Sequence, residues 1–133
     1  MHRKLNKALD LVNASGAWSA LGGPNNAGAG IKIAILDSGI DETHPGFQDR
    51  SLTTPPGFPK SGDADDATHT TNRIIVVRGF VGPLASGDGT PEFTLPDDLS
   101  ARDHVGHGTA AAMIAAGVSH QSPVGTISGV APN

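Results

Sequence analysis

The sequence predicts an α/β fold: a mainly parallel sheet with helices on both faces. Three observations carry this expectation: an apolar run at 31–36 closed by Asp37 and a Ser38-Gly39 turn, a second apolar run within 73–80, and the small-residue segment 110–116. In the first run Ile31, Ile33, Ile35 and Leu36 are large, Ala34 is small, and only Lys32 is polar. A short apolar run between Gly30 and Gly39 reads as a strand buried on both faces. Such strands belong to parallel sheets covered by helices. Asp37 follows where the strand should end, at the carboxyl edge where open α/β sheets place their ligands. Asp37 is therefore expected to be a site residue that the strand holds.

The remaining elements follow in chain order. Leu5, Ala8, Leu9 and Val12 recur at i, i+3, i+4 and i+7, which predicts a short amphipathic lead-in helix over 1–14. Trp18 and Leu21 offer a second apolar anchor, with Trp18 expected to pack. Residues 22–30, GGPNNAGAG, read as a flexible loop. His44-Pro45 suggests a turn after the central strand. Residues 48–72 and 82–100 are polar and rich in Pro and Gly, and read as inserted surface loops. Within the first, Asp63, Asp65 and Asp66 form a cluster that reads as a solvated face rather than a cation site. Between them RIIVVRGF, 73–80, reads as a second strand. AAAMIAA is a strong helix former whose small residues suggest tight packing, and Gly117 fits its stop. His107 then lies at or just before the first turn of that helix.

Composition excludes several function classes. A hydrophobic share of 37% against 17% charged residues is that of a globular chain, and 133 residues suffice for one modest domain. The net charge of −4 gives no reason to expect nucleic acid or an anionic membrane as a partner. With no Cys there is neither disulfide nor thiolate chemistry. No apolar run approaches a membrane span, and no signal-type apolar core follows the basic Met1-His2-Arg3-Lys4.

Asp37 and His107 together suggest chemistry. A carboxylate beside an imidazole fixes the ring tautomer and stabilises the imidazolium formed when the ring takes a proton. A helix N-terminus favours the neutral ring at rest. The combination suits a general base that needs a nucleophile to deprotonate. Asp103, His104 and His107 form a weaker alternative, a metal trio. Ser38, beside Asp37, reads as a turn residue rather than a nucleophile, because neighbouring side chains on an extended segment point apart.

IAILDSGID with His44-Pro45 after it, then GHGTAAAMIAAG, then SGVAP, resembles the subtilisin-like serine peptidases, the subtilases. Their Asp block is an apolar strand, then Asp-Ser/Thr-Gly-Ile-Asp, with His-Pro soon after. Their His block opens His-Gly-Thr on a small-residue helix, with Gly-Val-Ala-Pro after a loop. Both blocks stand here in the family's order, and the resemblance covers residues 15–133; the Trp18 segment resembles the lead-in of larger secreted members. The resemblance implies that Asp37 is the triad Asp and His107 the triad His of a serine endopeptidase acting on polypeptides through an acyl-enzyme. It also implies an extracellular or cell-surface setting.

Departures from the family pattern set further expectations. No Gly-Thr-Ser block with a nucleophilic Ser occurs, nor the later oxyanion Asn. The 133 residues are thus expected to be the N-terminal portion of one catalytic domain, inactive alone and prone to self-association through uncovered apolar faces. The alternative is a non-catalytic subtilase-like binding or scaffold piece. Ala110-Ala111 stand where His-Val is common in the family. No cofactor is expected in this chain. The resemblance allows calcium in a longer parent protein, but Gly46 stands where many members carry a calcium-binding Asp.

Overall fold

The structure is a computed structural model that describes residues 7–88 and 98–133. The described residues group into two compact units. One takes those up to Ile35 together with Ala110–Asn133, and the other is Leu36–Thr109.

The first unit begins with two short helices, α1 (Ala8–Leu11) and α2 (Ala14–Ala20), separated at Asn13, whose φ of 52° is left-handed. Asn tolerates that region better than other non-glycine residues. The predicted lead-in helix is therefore split, with Leu5 outside the described residues, and Leu11 and Val12 are exposed rather than packed. α2 stops in a glycine motif. Gly23 N–H bonds Trp18 C=O at 2.7 Å and Gly22 N–H bonds Ser19 C=O at 3.3 Å, with Gly22 at φ +80°. Two C-terminal carbonyls are satisfied by the paired pattern that a left-handed glycine permits. The Gly-rich stretch is thus a helix stop, followed by a 3-10 turn at Pro24–Asn26.

α5 (His107–Ala116) begins in the second unit in chain order and continues into the first. Met113 is buried and most of its neighbours are half-buried. The reason for the small residues is a close backbone approach. Gly129, Val130 and Ala131 donate their N–H groups to Gly117, Ile114 and Ala115 C=O at 2.8, 2.8 and 2.9 Å, which satisfies carbonyls the helix end leaves unpaired. A Cβ at Gly129 would lie 2.5 Å from Gly117 N and 2.7 Å from Met113 O, so only glycine fits. Trp18 Nε1 donates to Val130 C=O at 2.8 Å, and Asn133 N–H to Ala27 C=O at 3.0 Å, so the half-buried Trp18 acts as a tether. Between α5 and this segment, β3 (His120–Ser122) and β4 (Gly125–Ile127) form an antiparallel hairpin.

In the second unit, β1 (Lys60–Ser61) pairs in parallel with β2 (Val76–Val77). Parallel strands need a long crossover, which residues 62–75 supply with the helix α3 (Ala64–Ala67). The 48–72 stretch is therefore not loop throughout. Nor is 82–100, where α4 (Val81–Asp88) covers the start and 89–97 lie outside the described residues. The predicted strand at 73–80 shortens to β2, with Val77 buried and Val76 exposed.

Asp66 overturns its reading as a solvated acid. It is 1% exposed, and its carboxylate accepts from Gly79 N–H at 2.7 Å and Ala101 N–H at 3.0 Å. Asp63 caps α3 by accepting from Asp66 N–H at 2.9 Å. A half-buried Arg73–Asp49 pair at 3.1 Å ties the end of the crossover to residue 49.

The main correction concerns 31–36. These residues form no strand and pair with none among the described residues, and Ile31 and Leu36 are 70% and 90% exposed. A strand is buried only when other strands flank it and helices cover both faces. The paired segments of this chain lie elsewhere, and the described residues form only two two-stranded sheets.

Candidate active site

The segment after residue 36 is fixed by a single parallel bridge. Ile40 N–H bonds Ala101 C=O at 2.9 Å, and Asp103 N–H bonds Ile40 C=O at 3.2 Å. Gly39 makes the approach feasible. Its φ is +123°, and a Cβ there would lie 2.6 Å from Ala101 O and 2.7 Å from Arg102 O. Gly108 is buried for the same reason, since its Cβ would meet Gly39 O. The Ser38-Gly39 turn and the start of α5 are thus pressed backbone to backbone.

This brings together the two residues singled out in the sequence. His107 Nδ1 lies 2.7 Å from Asp37 Oδ1, across seventy positions of chain. Ser38 N–H donates to the same oxygen at 2.7 Å. The His107 hydrogen bond, then that of Ser38, hold the Asp37 carboxyl below the usual carboxylate range. The tautomer follows from geometry: a carboxylate only accepts, so the proton sits on Nδ1, leaving the Nε2 lone pair of a neutral ring outward. No described residue bonds Nε2, and the His107 side chain is 61% exposed.

A solvent-exposed contact of this kind is weak in water and does not position itself. Asp103 supplies the holding contacts. Its Oδ1 accepts from Ser38 Oγ at 2.9 Å, Val105 N–H at 3.0 Å and Gly106 N–H at 2.7 Å. Its Oδ2 accepts from Thr109 N–H at 2.8 Å and Thr109 Oγ1 at 2.6 Å. Burial works to raise the Asp103 carboxyl, but the Thr109 hydroxyl and the backbone donors outweigh it and hold it well below the ordinary range. Hydrogen bonds to a charged group contribute about 1.5–3 kcal/mol each, so this cluster dominates the local energetics. Ser38 Oγ also accepts from Gly108 N–H at 2.9 Å, and Thr109 Oγ1 from Asp41 N–H at 2.9 Å. Asp103 and Thr109 escaped the sequence reading as organisers. The available signal was an acid one turn before the helix start, within reach of the unpaired N–H groups of its first turn.

The proposed metal trio does not assemble. Asp103 binds the start of α5, His104 Nε2 faces Asp98 Oδ2 at 2.8 Å, and His107 faces Asp37. Among the described residues no group of three or more His, Asp or Glu is placed to hold a metal. Gly46 offers no side-chain oxygen to a cation, and its N–H donates to His44 Nδ1 at 3.1 Å. Ser38 is no nucleophile, since its hydroxyl proton goes to Asp103.

A second acid–imidazole–hydroxyl line lies nearby. Glu42 Oε2 is 2.7 Å from His69 Nδ1, and His69 Nε2 is 3.2 Å from Ser100 Oγ. Yet Ser100 Oγ donates to Asp98 Oδ1 at 2.6 Å. The hydroxyl proton is committed to a carboxylate, so Ser100 is tied rather than activated. That hydroxyl, then the Ser100 N–H and His104, lower the Asp98 carboxyl to about 2.

The contact thus joins an Asp that precedes a tight turn to a His that opens a small-residue helix, and sequence comparison shows the family of the chain. The Subtilase family profile matches residues 28–133, so the chain belongs to the subtilase family, a family of α/β serine peptidases. Among curated proteins it is similar to subtilisin-like protease SBT2.1 of Arabidopsis thaliana, 34% identical over 138 residues, covering 88% of this chain and 15% of that protein. It is also similar to subtilisin-like protease SBT3 of Solanum lycopersicum, 36% identical over 135 residues, covering 93% of this chain and 17% of that protein. The chain thus spans less than a fifth of the length of these relatives. No solved structure matches it. No described helix is long and apolar enough to cross a membrane.

Proposed function

We propose that these residues form the N-terminal portion of a serine endopeptidase catalytic domain that hydrolyses polypeptides by an Asp-His-Ser triad. Asp37 is the orienting carboxylate and His107 the general base. The observation that supports the reading is the 2.7 Å contact of His107 Nδ1 with Asp37 Oδ1. It leaves Nε2 to take the proton of a serine hydroxyl as that oxygen attacks the scissile carbonyl. The imidazolium so formed then protonates the leaving amine. The nucleophile is proposed to lie outside the 133 residues, as are the partner strands that complete a mainly parallel sheet around 31–36 with helices on both faces. The chemistry uses no cofactor. Calcium in a longer protein would need donors other than Gly46. The setting is proposed to be extracellular or cell-surface, as for a secreted peptidase.

The isolated chain is expected to show no turnover of an unstructured protein and no labelling by a serine-directed phosphonate. Turnover abolished by Asp37→Ala or His107→Ala would overturn the proposed division of the triad. In a longer, active protein carrying these residues, full activity after His107→Ala would end the peptidase reading of the pair. The exposed Ile31, Ile33 and Ile35 favour association of the isolated chain. Sedimentation is expected to give a mass that rises with concentration, and a clean monomer at high concentration would count against it.

A further inference from the structure

We propose that Ser38 and Asp103 are positioning residues that set the geometry of the Asp37–His107 pair, an inference that rests on the reading of that pair as base and orienter. Ser38 touches both halves. Its N–H holds Asp37 Oδ1, and its Oγ takes the N–H of Gly108, the residue after His107. One hydroxyl makes both of its contacts in a fixed sense, because Asp103 Oδ1 accepts the Ser38 proton and so turns a lone pair toward Gly108. Asp103 grips the other side of His107 as well, through Gly106 N–H and both donors of Thr109. Both neighbours of His107 are therefore tied, one directly and one through Ser38, to a single carboxylate. The His107 side chain is 61% exposed, so burial does little to aim it and the backbone frame sets its direction. Ser38 does not donate to the ring and Asp103 does not touch it; both act through Asp37 and the first turn of α5.

The test reads the His107 ring directly, by long-range 1H–15N NMR of the 133-residue chain at a pH where the ring is neutral. The unaltered chain is expected to show the Nδ1–H tautomer. Ser38→Ala and Asp103→Asn are expected to lose it in favour of Nε2–H. The Asp41 amide, bonded to Thr109 Oγ1, reports that the fold persists. Ser38→Thr, which keeps the hydroxyl, is expected to retain Nδ1–H. A merely structural role would not separate Ala from Thr at constant fold. Nδ1–H retained in both Ser38→Ala and Asp103→Asn would overturn the positioning role and leave the pair intact. An Nε2–H ring in the unaltered chain would instead sink the pair itself, and this proposal with it. Loss of the fold in both variants would also count against the proposal, since these residues would then hold the unit rather than the aim of the ring.

Discussion

Asp66→Ala is expected to destabilise the Leu36–Thr109 unit strongly. Among the described residues the carboxylate is the one fully buried side chain of appreciable size, and it ties β2's continuation at Gly79 to the 98–101 segment at Ala101. Removing it leaves two backbone N–H groups without an acceptor. Each such loss costs about 1–3 kcal/mol, so the pair costs on the order of 2–6 kcal/mol against a domain stability of about 5–15 kcal/mol. A cavity adds to this. Asp66→Asn keeps the volume and one carbonyl oxygen, so it orphans one amide and is expected to cost about half as much. Amide hydrogen exchange at Gly79 and Ala101 is the measurement. Exchange faster by about 30-fold or more in Asp66→Ala, and less in Asp66→Asn, is expected from those costs. Equal protection in all three chains would show that the carboxylate does not organise the unit. Gly62 belongs to the same feature: its Cβ would lie 2.5 Å from Asp66 Oδ2.

Gly39→Ala is expected to separate Asp37 from His107. Two penalties act together. The φ of +123° is a conformation that an L-residue with a Cβ holds only at a cost of about 1–3 kcal/mol. The Cβ would also lie 2.6–2.8 Å from Ala101 O, Arg102 O and Arg102 C. These are backbone atoms, so relief requires the bridge itself to part, at a further cost of about 1–3 kcal/mol. The bonds lost are Ile40 N–H to Ala101 C=O and Asp103 N–H to Ile40 C=O. Faster amide exchange at Ile40 and Asp103 and loss of the His107 Nδ1–H signal are the expected readouts. Unchanged protection at both amides would refute the close approach. Gly30, where no atom lies within 4 Å of the built Cβ, is the control. Its φ of +75° is strained for alanine too, but Gly30→Ala breaks no bridge and should leave the His107 signal intact.

Part of this was legible without coordinates. The helix at 107–116 was readable because Ala-rich composition and a terminal glycine act locally. The turn at 44–47 was readable for a similar reason: proline restricts its own φ and the residue before it. The blocks around Asp37 and His107 were readable as family patterns, and that is how they named the family before any geometry existed. The strand at 31–36 was read as buried because its residues are apolar, but burial belongs to neighbours, not to a segment. Among the described residues no strand pairs with it. The acids at 63–66 were read as solvated because acids usually are.

The sequence alone determined the turn at 44–47, the helix at 107–116 and the two residues of the Asp–His contact. Tertiary structure alone decided that Asp66 and Asp103 are keystones rather than surface acids. It also decided that Gly39, Gly108 and Gly129 are glycines of close approach. The physical reason is range. Propensity and capping are written within a few residues of chain, whereas the worth of a carboxylate or a missing Cβ depends on which distant amide or carbonyl the fold delivers to it.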